Sequence, residues 1–317
     1  MPVTLKNIKN NLKFLKKGKS IIHLRKKNNG KIVIVIASGP SLRRNNQIKY
    51  LKKYRNFFYL VASDGALYYL LSNNIIPDLV VTLDPHPSRI VRWFGDTSLT
   101  KKKITDDDYF RRQDLEIKFN KEIKSNKKMI ALFNKFSNRI KVAVCTSSSN
   151  AVIKRLLSTN AKIFWWNPYL DDTKKKNSLS KKIFKLNKLP LINTGGNVGS
   201  ASWMIADQVF NSKKILLLGM DYSYYLNTPL RATQYYDAID KITKSNKEKK
   251  KFYKTIYNPF VKKSFYTDHV YLWYKKILLE MIENTSSITV NCSGAGILFG
   301  KKIQWTSLRN FCKKIYG

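Results

Sequence analysis

The chain has 317 residues, 43% of them hydrophobic, including 16 Phe, 18 Tyr and 6 Trp; this supplies a sizeable core and excludes disorder of the whole chain. Its formal net charge is +40, which attracts polyanions, although Lys runs such as 101–103 and 174–176 also read as a solvated face. Without a zinc finger, a stacking-aromatic RNA signature or an arginine-rich reading helix, no specific nucleic-acid partner is expected. Residues 1–28 read as a basic helical lead-in. Leu5, Ile8, Leu12 and Leu15 share one helical face among lysines, so the segment either docks on its own domain or lies on an anionic membrane. Apolar runs then predict strands over 31–37, 57–62, 79–83, 141–145, 162–166, 214–219 and 287–291. Helical spacing predicts helices over 44–54, 64–73, 86–94, 148–158, 197–211, 268–284 and 306–314. This alternation predicts an α/β, Rossmann-like fold, a mostly parallel sheet with helices on both faces.

Three stretches interrupt the pattern. Residues 96–127 are charged and contain Asp106-Asp107-Asp108. Residues 170–189 are rich in Lys, Ser and Asn and read as an insertion or mobile loop. Residues 226–266 lie between a strand end and a helix, a place suited to a lid. The expected organisation is therefore a lead-in (1–28), a nucleotide-binding core (29–225), a lid insertion (226–266) and the rest of the core (267–317). Cys145, Cys292 and Cys312 have no metal or disulfide spacing, in keeping with a reducing cytoplasm. No signal peptide and no run of roughly 18 apolar residues are seen, so no bilayer span is expected.

Candidate site residues sit just past the strands, where open α/β sheets bind ligands. Ser38-Gly39-Pro40-Ser41 follows the first strand: Gly39 permits close backbone approach, and Ser41 opens a helix whose free N–H groups suit a phosphate. The competing reading is an ordinary strand–helix corner. Asp64-Gly65 ends the second strand, where Asp64 could meet a ribose or cap a helix. Asp84, in Asp84-Pro85-His86, ends the third and could orient a hydroxyl, hold a metal or cap a helix. Thr194-Gly195-Gly196-Asn197, with Ser200, opens another helix with small residues; these let an anion approach the backbone or let the helix pack closely on the sheet. Asp221 ends the strand that follows, and Tyr222 and Tyr224 come next as hydroxyls able to stabilise a leaving phosphate. His269 opens the helix after the lid, and histidine is the usual general base near neutral pH.

Taken in order, Ile36-Ala37-Ser38-Gly39-Pro40-Ser41-Leu42, Ser63-Asp64-Gly65-Ala66, Pro77-Asp78 to Asp84, Gly195-Gly196-Asn197-Val198-Gly199, Leu218-Gly219-Met220-Asp221 and Asn291-Cys292-Ser293-Gly294-Ala295-Gly296-Ile297 resemble one superfamily. It contains the motility accessory factor (Maf) flagellin glycosyltransferases and the archaeal 6-hydroxymethylpterin diphosphokinase (MptE-like) domain. The Maf branch is in turn similar to metal-independent bacterial sialyltransferases. That resemblance implies a nucleotide-activated sugar donor, a CMP-linked nonulosonic acid, a glycan or protein acceptor, no cofactor and His269 as base. The position of the first glycine of that branch's turn is Ala37 here. The diphosphokinase branch implies pyrophosphoryl transfer from ATP with Mg2+ on Asp84 and Asp64. Its members carry two carboxylates in the turn after the third strand, and Thr82-Leu83-Asp84-Pro85 carries one. A third reading is a non-catalytic basic binding protein. The expected location is the cytoplasm, with a peripheral position at the inner membrane face as a second reading.

Overall fold

The structure is a computed structural model that describes residues 2–25, 30–106 and 119–316. Asp107 and Asp108 of the acidic run, and residue 28 at the end of the lead-in, lie outside the described residues. Its centre is a parallel sheet built from β1 (Lys19–Ser20), β2 (Val33–Ile36), β3 (Tyr59–Ser63), β4 (Leu79–Thr82), β5 (Lys141–Cys145), β6 (Lys162–Pro168), β8 (Lys214–Leu218), β12 (Ile288–Asn291) and β13 (Ile303–Trp305), with the short β7 (Leu191–Ile192) paired to β6. The spatial order is β1-β6-β5-β4-β3-β2-β8-β12-β13. The order reverses between β2 and β8, so the turns leaving these two strands flank the topological switch point.

The inner strands are apolar on both faces, as expected where helices cover both sides. Val33, Val35, Val61 and Leu217 pack with helix Val198–Met204 and helix His269–Glu283. Ile34, Ile36, Leu60 and Leu218 pack on the opposite face with Leu42, Leu51 and Phe311. Further along that sheet, Val80, Val142 and Val144 meet Leu67, Phe133 and Leu156.

The seven expected strands all form, but several helices differ. The 44–54 helix is two pieces, Ser41–Arg44 and Ile48–Lys53, separated by Asn46 in the left-handed region (φ 47°). The 86–94 helix shrinks to a 3-10 turn over Ile90–Phe94, because Asp84 accepts from the His86 N–H at 2.7 Å and holds a local turn instead. The 197–211 helix becomes π-helical over Ile205–Val209. The 96–127 stretch carries helix Lys101–Asp106 and the start of helix Phe119–Phe136. The 170–189 stretch is not a loop: helix Leu179–Asn187 forms there. Asp171 accepts from Ser178 Oγ (2.7 Å) and from the N–H groups of Leu179 (2.8 Å) and Ser180 (3.0 Å), which holds its carboxyl far below the usual range.

The lead-in docks on the core. Its helix Pro2–Asn11 buries Ile8. Asn7 donates to the carbonyls of Pro85 (3.0 Å) and Ser147 (2.9 Å), and Asn11 to those of Thr146 (2.9 Å) and Ser148 (2.8 Å). It thus covers the carboxyl ends of β4 and β5. Residues 226–266 hold helices Tyr236–Ile242 and Asn246–Lys251, the strand β10 (Tyr253–Asn258) and most of β11 (Lys263–Asp268). With β9 (Tyr224–Tyr225) these strands form a separate antiparallel sheet ordered β10-β11-β9. Among the described residues, no helix is long and apolar enough to cross a membrane.

Candidate functional site

At the switch point the turns after β2 and β8 are bound to each other. Gly39 N–H donates to Gly219 O at 2.9 Å. Asp221, only 3% exposed, accepts from Ser41 N–H at 2.7 Å and from Ser41 Oγ at 2.5 Å. Burial pushes its carboxyl up to about 6, against the lowering effect of the two Ser41 bonds. Gly219 has φ +66°, and a Cβ there would sit 2.3 Å from Ala37 O. Ile297 N–H closes the cluster on Asp221 O at 2.9 Å. Ser41 and Asp221 therefore hold each other, while Ser38 stays exposed and Gly39 and Pro40 half-buried.

Asp64 is also buried. It accepts from Thr82 Oγ1 (2.8 Å) and from Gly65 N–H (2.7 Å). Burial pushes its carboxyl up to about 7; those two bonds oppose the shift, and the charge of Asp84 adds to it. Asp64 and Asp84 are thus neighbours across adjacent strand ends. Mg2+ is commonly held by one or two carboxylates together with phosphate oxygens. Asp64 fits that task poorly, since both its oxygens are already engaged by Gly65 N–H and Thr82 Oγ1. Among the described residues, no group of three or more His, Cys, Asp or Glu side chains is placed to hold a metal.

The second small-residue turn behaves differently. Asn197 caps helix Val198–Met204 by accepting from Ser200 N–H (2.9 Å), and its amide donates to Ser200 Oγ (2.9 Å). The Tyr222 hydroxyl joins them, 2.9 Å from Ser200 Oγ; burial pushes it up to about 12. Thr194 and Asn197 are half-buried and Gly196 is exposed. Gly196 has φ +83°, and a Cβ there would press on the rings of Tyr274 (2.6 Å) and Trp273 (2.8 Å) of helix His269–Glu283. Here the turn meets side chains, and Trp273 is 54% exposed.

The same helix begins at the base of the lid. Asp268 is fully buried and caps it, accepting from Tyr271 N–H and from the Tyr224 hydroxyl, both at 2.9 Å. Tyr224 also accepts from Gln234 N–H (2.9 Å) and stacks on Tyr271 with ring centroids 5.3 Å apart. Burial raises both the Tyr224 hydroxyl and the Asp268 carboxyl above their ordinary ranges. His269 is exposed, and its Nδ1 lies 2.9 Å from the carbonyl of Phe252. A carbonyl only accepts, so Nδ1 is the protonated nitrogen in this contact, and Nε2 is the one that exchanges a proton. His269 and Trp273 are four residues apart on one helix face.

The structure thus brings together Thr194, Gly195, Gly196, Asn197, Ser200 and Tyr222, with His269 one helical turn from the residues that touch Gly196. Ser38, Gly39, Pro40 and Ser41 lie beside them through Asp221 and the adjoining Tyr222. Asp64, Gly65 and Asp84 form the neighbouring wall, Gly65 abutting Ser38. Tyr224 is engaged with Asp268 rather than directed at this space. Sequence reasoning missed Asp268, Trp273 and Tyr274; an Asp directly before an amphipathic helix is a readable cap signal, and the i, i+4 spacing would have found Trp273. The carbonyl of Phe252 gives no sequence signal.

Residues 5–98 match the family described as 6-hydroxymethylpterin diphosphokinase MptE-like. The fold is similar to a Maf glycosyltransferase from Magnetospirillum magneticum AMB-1, with a TM-score of 0.55 and 12% sequence identity over 89% of this chain and 34% of that one. The chain therefore spans about a third of that protein's length. No curated protein matches the sequence. The family match covers the motifs from Ser38 to Asp84, and the likeness to the solved structure is one of fold.

Proposed function

We propose that the protein is a transferase that moves a sugar from a nucleotide donor, a CMP-linked nonulosonic acid, onto a hydroxyl of a glycan or protein. The observation that carries this reading is the His269 imidazole, held through Nδ1 by the Phe252 carbonyl with Nε2 as the basic nitrogen at an exposed helix start. The donor phosphate sits at the exposed side of the Thr194–Asn197 turn, beside the start of helix Val198–Met204, whose dipole favours an anion. Nε2 takes the acceptor's proton as the acceptor oxygen bonds to the anomeric carbon. The bond from that carbon to the phosphate oxygen breaks, and CMP leaves with the electron pair. Tyr222 and the Asn197 amide stand beside the departing phosphate. Tyr224 acts on Asp268, fixing the helix that presents His269. The lid excludes water, which would otherwise compete as acceptor.

Thermal stabilisation by CMP, CDP, ATP, GTP and AMP, each with and without Mg2+, tests this. A ligand at 100 times its Kd adds about 2.7 kcal/mol. CMP alone is expected to stabilise the protein. A second reading is Mg2+-dependent pyrophosphoryl transfer, favoured by the family match over residues 5–98, which includes the neighbouring Asp64 and Asp84. A response only to ATP or AMP with Mg2+ would replace the first reading with this one.

A further inference from the structure

The opposite edge of the sheet, where the strands begin, carries a different chemistry. A groove of about 940 Å3 opens across the starts of β2 to β5. Lys31, Lys52, Lys135 and Arg139 line it, all exposed. Among the described residues its one lining carboxylate, Asp78, is held by Arg55 at 2.9 Å. Lys31 and Lys141 each place an ammonium 5.7 Å from the centroid of the same ring, that of Tyr59. The lining cations Lys31, Lys52, Lys135 and Arg139 repel one another across this concave surface, and a bound anion relieves that repulsion. The row continues beyond the groove: Lys162 begins β6, Lys214 begins β8 and Lys213 directly precedes it.

We propose that this groove is a binding site for a compound bearing two or more phosphate groups, on the far side of the sheet from His269. Phosphates suit it because each has several acceptor oxygens for multiple ammonium and guanidinium donors. Phe57, 52% exposed at the groove, offers a flat apolar wall for the rest of the ligand. The same chemistry is presented by a soluble polyphosphate compound and by a phosphorylated lipid headgroup.

The test must separate this site from the general attraction of a chain of net charge +40. Binding of tripolyphosphate, and of vesicles containing phosphatidic acid, is measured at about 0.15 M salt, where distant surface charges are screened. Three proteins are compared: the wild type, a groove variant (Lys52→Glu, Lys135→Glu, Arg139→Glu) and a variant of equal charge (Lys174→Glu, Lys175→Glu, Lys176→Glu) in an exposed run after β6. If the groove variant unfolds at a lower temperature than the other, glutamines replace the glutamates in both. The groove changes are expected to weaken binding about tenfold or more, and the control changes less than about twofold. Groove-dependent binding of tripolyphosphate assigns a soluble ligand, and groove-dependent binding of vesicles alone assigns a lipid headgroup. Equal weakening in both variants, binding of neither probe, or groove-dependent binding of a single-stranded RNA alone would overturn the proposal.

Discussion

Two glycine-bearing regions lie at the carboxyl side of the same sheet, and they do different work. Around Gly39, Gly219 and Asp221, backbone meets backbone, and the acid is paired inward with Ser41. Around Gly195, Gly196 and Asn197, the turn meets the half-open rings of Trp273 and Tyr274 and leaves its surface to solvent. The first arrangement locks the switch point, and the second leaves Gly196 at the surface. Small residues after a strand therefore do not by themselves mark a binding turn; the burial of what they touch decides.

That contrast is sharpest at two glycines. Gly219→Ala forces a Cβ against Ala37 O at a positive φ and is expected to cost at least about 4 kcal/mol. Gly196→Ala meets only rings that can move and should cost about 1–2 kcal/mol. Equal losses in denaturant unfolding would remove the distinction between the turns. Asp221→Ala leaves Ser41 N–H and Oγ buried without acceptors, an expected loss of about 2–4 kcal/mol; a neutral effect in the same measurement would mean that the lock contributes nothing.

Asp64 gives a smaller effect that depends on pH. Its folded-state value, pushed up to about 7 from an ordinary 3.8, means that the folded protein holds this proton more tightly than the unfolded chain. The stability this contributes is complete below 3.8 and is lost as the pH rises to about 7. Asp221, pushed up to about 6, acts in the same direction over a narrower window. The difference in Tm between wild type and Asp64→Asn should therefore change across that window, with the variant showing the flatter dependence. Parallel curves would mean that Asp64 ionises normally.

The sheet was legible because its inner strands are unbroken Val, Ile and Leu runs, such as Ile32–Ile36 and Ile215–Leu218. The antiparallel sheet was not: Tyr253–Asn258 alternates buried and exposed positions only weakly and is polar enough to read as loop. Helix Leu179–Asn187 was obscured by its lysines, although the Ser178 side chain accepts from Lys181 N–H at 3.1 Å and caps it. Among the candidate residues, the sequence marked the small-residue turns at strand ends and His269 at a helix start, and the structure has them there. Motif order could not separate the inward Asp221 from a ligand-facing acid, because that depends on Ser41, 180 residues away along the chain.

The central claim is that His269 supplies the base for transfer from a nucleotide-activated sugar. The direct measurement is CMP release from a CMP-linked nonulosonic acid by the wild type and by His269→Ala, with CMP binding followed in parallel. The wild type is expected to release CMP, and the variant to do so about 10²–10⁴-fold more slowly while binding CMP with unchanged affinity. Full-rate release by the variant, or none by the wild type, would contradict it.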